Sequence, residues 1–92
     1  MSYTITVPVD WLYVGGWVWI IEPASRIGRD EPSIFRNTIK GFSRSGFYYN
    51  HDSSTPVYYA DWSEIDKSVF ETKEEAEAAL DEKLHRRKSK EG

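Results

Sequence analysis

The chain has 92 residues, a net charge of −3, no cysteine and fourteen aromatic residues: four Trp, six Tyr and four Phe. A chain this short makes one domain, spanning 1–92, and buries roughly 60–65% of its unfolded surface. The absence of cysteine excludes disulfides and thiolate metal sites, and the net acidity argues against a general nucleic-acid binder.

In chain order, residues 2–7 (SYTITV) alternate and are rich in β-branched side chains, which predicts a first strand ending near Pro8. Residues 10–14 and 17–22 flank Gly15-Gly16, the signature of a hairpin turn that tolerates positive φ. The second of these segments, WVWIIE, is apolar on both faces: Trp17, Trp19 and Ile21 on one, Val18 and Ile20 on the other. Such a strand either lies inside a sheet or presents a docking face. The expectation here is an inner strand with Trp19 and Ile20 both largely buried.

Residues 29–41 predict a short middle helix. Asp30 suits its cap, Pro32 its first turn and Gly41 its end, with Ile34, Phe35, Thr38, Ile39 and Phe42 at helical spacing. An extended reading of residues 33–39 is the alternative. Residues 45–50 and 56–61 predict a second hairpin about the polar loop HDSST, and residues 66–71 a short strand. The last element is a helix from about residue 72. Thr72 and Glu75 form a capping box, while Ala76, Ala79, Leu80 and Leu84 line one face. Residues 88–92 read as a flexible basic tail. The fold class is therefore α+β: an antiparallel sheet of three to five strands with a short middle helix and a longer C-terminal helix packed on it.

No run of residues is apolar enough to span a bilayer, and the first residues lack the basic and apolar segments of a signal peptide, so a cytoplasmic location is expected. No phosphate loop, nucleophile elbow or His–x–x–His spacing occurs, which points away from an enzyme, a metal, a cofactor or a small-molecule substrate. His51-Asp52 reads as a polar turn.

Charge is unevenly spread. Arg26, Arg29, Arg36, Lys40 and Arg44 face only Asp30 and Glu31 within residues 26–44, and they form the first candidate binding set. If the middle segment is helical, Arg36 and Lys40 lie four apart on one face. A second basic run includes Arg86, Arg87 and Lys88, where compensation of a helix dipole competes with phosphate contact. On the second hairpin, Tyr48 and Tyr49 point to opposite faces, as do Tyr58 and Tyr59. One Tyr pair faces the core, and the other is available to stack bases or to pack across strands. Tyr48 and Tyr58 are the candidates.

Residues 58–80 (YYADWSEIDKSVFETKEEAEAAL) resemble a pattern of small phage and mobile-element proteins: a strand ending at Trp62, a short segment ending at Phe70, then a capped helix through Thr72, Glu74, Glu75 and Ala76. The match covers about a quarter of the chain and specifies a strand-to-helix joint. The overall profile is similar to that of phage anti-CRISPR proteins. That resemblance implies an inhibitor that binds a bacterial CRISPR effector, a protein–RNA complex, and blocks its target DNA. Acids would then meet basic protein, while Arg26, Arg29, Arg36, Lys40 and Arg44 approach the guide RNA or acidic protein. A single-stranded nucleic-acid-binding or protein-adaptor domain is the alternative.

Overall fold

The computed structural model describes residues 5–91, with side chains for 5–85. Five strands form one antiparallel sheet: β1 (Trp17–Glu22), β2 (Ser33–Phe42), β3 (Gly46–Asn50), β4 (Tyr58–Asp61) and β5 (Val69–Phe70). The spatial order is β4-β3-β2-β1-β5. A four-residue helix, α1 (Ala24–Ile27), joins β1 to β2, and a 3-10 turn at Trp62–Glu64 leads toward β5. The chain ends in α2 (Lys73–Glu91). The fold class is the α+β arrangement expected. Among the described residues, no helix is long and apolar enough to cross a membrane.

β1 is an inner strand. It pairs with β2 through Trp19↔Arg36 and Ile21↔Ile34, and with β5 through Trp19↔Phe70. Its alternation sends Val18 and Ile20 into the main core with Leu12, Ile39, Phe47, Tyr49 and Val69. Ile21 faces the other way, into a smaller cluster with Phe70 and Ala76 that α2 closes with Ala79 and Leu80. Both faces of β1 are therefore covered over Ile20 and Ile21. Ile20 is buried, whereas Trp19 is only half-buried and Trp17 is exposed.

The first expected hairpin does not form. Residues 5–7 are not strand, and residues 2–4 lie outside the described residues. Residues 10–14 do not pair with β1 either, because the Gly15-Gly16 turn spends its backbone elsewhere. Gly15 N–H donates to the Ile39 carbonyl at 2.9 Å, Ile39 N–H donates to the Gly16 carbonyl at 3.0 Å, and Gly16 N–H closes the turn onto Tyr13. Gly15 holds a φ of +88°, which a side chain would strain. The turn thus docks on β2, and the segment before it contributes Leu12 to the core instead of a ladder.

The expected helix over 29–41 is also corrected: residues 33–42 are β2, and the short helix lies earlier, at α1. Two ladders flank β2, to β1 and to β3, satisfying its backbone on both sides. Its apolar side chains obey the two-residue period, with Phe35, Asn37 and Ile39 inward and Ile34, Arg36 and Thr38 outward. The neighbouring pair Ile34-Phe35 imitates a helical stripe, but each member serves a different face. Register slips between Ile39 and Gly41, where Lys40 is the additional residue of a bulge.

The second hairpin and the C-terminal helix lie where expected. Tyr48 pairs with Tyr59 and Tyr49 with Tyr58. At the start of α2, Thr72 Oγ1 accepts from Glu75 N–H at 3.2 Å, and its hydroxyl donates to the Glu75 carboxylate at 2.9 Å.

Gly46 is the tightest point of the hairpin. A Cβ there would be driven into the carbonyl oxygen of Ala60, with the Tyr59 ring beyond it. Gly46→Ala is expected to cost about 1–3 kcal/mol in urea melts, the range of an overpacked site. Unchanged stability would show that β4 moves aside freely.

Candidate nucleic-acid interface

Helix α2 covers only part of the outer sheet face. It packs against β1, β2 and β5, and leaves the outward side of the β2–β3–β4 half open. Pairing register and alternation place Trp17, Arg36, Lys40, Tyr48 and Tyr59 on that outer face. Trp17 is 61% exposed, Tyr48 43% and Tyr59 41%. These are large rings to leave in water, and they lie on one side of one sheet.

Their orientations are held by neighbours. The Arg36 guanidinium stacks over the Trp17 ring at 4.0 Å from its centroid, a cation–π contact that also keeps the charge at the surface. Tyr48 and Tyr59 meet with centroids 5.1 Å apart. The Tyr59 hydroxyl lies between those of Ser43 and Ser45, which fixes the ring across the hairpin. Trp17 and Tyr48 stand on strands separated by β2, roughly 10 Å apart across the sheet. The result is two aromatic platforms with Arg36 and Lys40 on the strand between them. Exposed rings beside cations are chemically suited to planar, anionic and flexible ligands, because π-faces accept stacking and cations accept phosphate.

The five bases of the first candidate set do not converge. Arg36 and Lys40 share the open face, as a strand places residues two and four apart on one side just as a helix does residues four apart. Arg26, on α1, is turned inward. Its Nη1 donates to Glu22 Oε2 at 2.6 Å and to the Tyr49 hydroxyl at 2.9 Å, and its guanidinium lies 4.7 Å from the Tyr58 centroid. Glu22 is a buried carboxylate, so Arg26 serves to compensate it. Arg29 leans over Phe35 at 5.9 Å. Arg44 sits in the β2–β3 loop, where its carbonyl accepts from Trp62 Nε1 at 2.9 Å. The side chains of Arg86, Arg87 and Lys88 lie outside the described residues.

Of the two tyrosine candidates, only Tyr48 lies on the open face. Tyr58 belongs to the inner face with Tyr49 and is capped by Arg26; its place is taken by Tyr59. Trp17 was absent from the candidate set altogether. Its signal was present in the odd-numbered face Trp17, Trp19, Ile21, whose first member is too far from α2 to be covered.

His51 and Asp52 form a polar turn. His51 Nδ1 meets the Arg36 carbonyl at 2.8 Å, and Asp52 accepts from Ser54 N–H and hydroxyl. Those Ser54 hydrogen bonds hold the Asp52 carboxyl below its usual range. Among the described residues, no group of three or more His, Cys, Asp or Glu side chains is placed to hold a metal.

Tyr49 carries a pH signature. Burial, then the nearby Glu22 charge, pushes its phenol above the usual value of 10. The folded state therefore favours the neutral phenol more than the unfolded state does. That contribution to stability is complete below about pH 10 and is lost as pH climbs from there through the folded value. Tyr49→Phe is expected to cost about 0.5–1.5 kcal/mol at neutral pH through loss of the Arg26 hydrogen bond, and to flatten the alkaline limb of the stability curve. An identical alkaline limb in the variant, by urea melts from pH 7 to 11, would assign it to another group.

Comparison with protein-family models, with curated proteins and with solved structures finds no match for this chain.

Proposed function

We propose that this protein binds single-stranded nucleic acid, RNA in particular, on the open outer face of its sheet. The observation that carries the reading is the pair of exposed aromatic platforms, Trp17 under Arg36 and Tyr48 beside Tyr59, with Lys40 between them. Stacking on aromatic side chains is tolerant of sequence because every base has a π-face, and a few cations suffice to follow the backbone. A duplex hides its base faces, so the surface selects unpaired strands. The net charge of −3 keeps non-specific attraction weak, which leaves stacking as the main source of affinity.

The test is a titration of a labelled uridine-rich octamer, followed by anisotropy at several salt concentrations, with a duplex of equal length as control. The octamer is expected to bind and the duplex not. The logarithm of affinity should fall with that of salt at a slope of about −1 to −2, for two phosphate contacts. Charge reversal by Arg36→Glu with Lys40→Glu is expected to abolish that slope. Equal binding of duplex and single strand would overturn the reading.

A second reading places the RNA inside a bacterial protein–RNA complex, with this chain as a CRISPR inhibitor that touches the guide strand. It is favoured by the charge layout: Glu74, Glu77 and Asp81 are exposed on α2, while Arg36 and Lys40 stand on the uncovered sheet. An acidic helix suits a basic DNA channel at the same time as the aromatic face suits RNA. Binding to the assembled complex far tighter than to free octamer, with loss of phage restriction in CRISPR-active cells, would select this reading over free-strand binding.

A further inference from the structure

A cleft of about 530 Å³ opens beside the aromatic face, where the segment before β1 folds over the strand's first residues. Trp11, Tyr13, Trp17 and Trp19 wall it, the backbone of Gly15-Gly16 forms one side, and Glu71 is the one acidic residue in its lining. Tyr13 is 63% exposed and lies flat against Gly16; a Cβ there would meet the ring at 2.8 Å. The glycine thus lets a tyrosine ring lie across the turn and become a wall.

The charges around this cleft have an order. Glu71 lines it, whereas two cations rest on its walls from elsewhere: Arg36 over Trp17 at 4.0 Å and Lys73 near Trp19 at 5.9 Å. An organic cation would suit the rings and the carboxylate but would meet Arg36 and Lys73 as like charges. A nucleotide fits all three, with its base between the rings, donors toward the carboxylate and phosphate toward the cations.

A carboxylate only accepts hydrogen bonds. Of the four RNA bases, guanine alone presents two adjacent donors, N1–H and the 2-amino group, on its Watson–Crick edge, the pair a carboxylate accepts in bidentate fashion. We propose that this cleft receives one unpaired guanine, with Glu71 as the residue that selects it. The proposal rests on the single-strand reading of the adjoining face, and it adds base selectivity to a surface otherwise indifferent to sequence.

Tryptophan fluorescence reports the cleft directly. Uridine pentamers carrying one central guanosine, adenosine or inosine would be titrated, alongside guanosine and adenosine monophosphates and choline. The guanosine pentamer is expected to bind about 10-fold or more tighter than the adenosine one, as a bidentate base contact discriminates. Inosine, which lacks the 2-amino group, should fall between. Glu71→Ala is expected to erase the preference while leaving the adenosine pentamer's affinity within about two-fold. Equal affinities for guanosine and adenosine pentamers would overturn the guanine site and leave the sheet reading intact. Tight guanosine monophosphate with no added affinity from flanking uridines would do the reverse. Saturable quenching by choline with no guanine preference would reassign the cleft to organic cations.

Discussion

Phe47→Ala is expected to lower stability by about 3–5 kcal/mol, a large part of what a chain of this size has to spare. Phe47 is fully buried, and among the described residues it is the largest side chain in that state. It contacts the rings of Tyr49 and Trp62 at 5.8 and 5.9 Å, and it sits opposite Ala60 on β4, so its removal leaves a cavity at the joint of the hairpin and the 3-10 turn. Two aromatic contacts are lost in addition to the transfer term. Trp19→Ala is the informative contrast. A half-buried Trp19, shielded on one side by Lys73, should cost less than Phe47 despite the larger ring. Urea melts of the two variants would settle the ranking, and a larger loss at Trp19 would place the centre of the core on the α2 side.

Which elements were legible in the sequence follows from where their determinants lie. α2 announces itself locally, through Thr72, Glu75 and a helical apolar stripe, and those signals depend on nothing distant. The second hairpin is likewise local, because a polar loop brings adjacent strands together. The segment 33–42 was not legible in this way. Asp30, Pro32 and Gly41 are helix punctuation, and Ile34-Phe35-Thr38-Ile39 matches a helical stripe as well as two strand faces. The decision comes from strands β1 and β3, both ready to pair with it. The Gly15-Gly16 turn misled for the same reason: beyond its own closure onto Tyr13, it exchanges two hydrogen bonds with Ile39, over twenty residues away, and does not zip its flanks into a ladder.

The candidate site was half legible. Arg36 and Lys40 could be named together because a spacing of four gives them one face in a helix and in a strand alike, and Tyr48 because alternation sets it opposite Tyr49. Arg26 and Arg29 could not be separated from that set, since nothing in the sequence shows that a buried Glu22 claims Arg26. The choice between Tyr58 and Tyr59 turned on the direction of one strand relative to the core, which the alternation leaves two-fold ambiguous. Trp17 was hidden by its own hydrophobicity. A tryptophan in an inner strand reads as core until the length and placement of α2 show that cover stops short of it.

The second large effect concerns that residue together with Tyr48. Each ring is a separate stacking platform, and the loss of one base–aromatic contact costs about 1–3 kcal/mol. Trp17→Ala combined with Tyr48→Ala is therefore expected to weaken octamer binding by about 2–6 kcal/mol, which is at least about 30-fold. Both residues are exposed and lie outside the buried clusters, so stability should change little, on the order of 0.5 kcal/mol for each. Tyr58→Ala provides the counter-example: Tyr58 borders the core and faces inward, so it should lower stability and leave the affinity of the folded protein unchanged.

The most direct measurement is the dissociation constant of the labelled uridine-rich octamer for the wild type and for the Trp17→Ala/Tyr48→Ala variant, taken in one buffer alongside their urea melts. The predicted result is a loss of at least about 30-fold in affinity with melts that differ by no more than about 1 kcal/mol. Wild-type affinity in the double variant would contradict the account, because it would show that the open aromatic face is not where this protein binds.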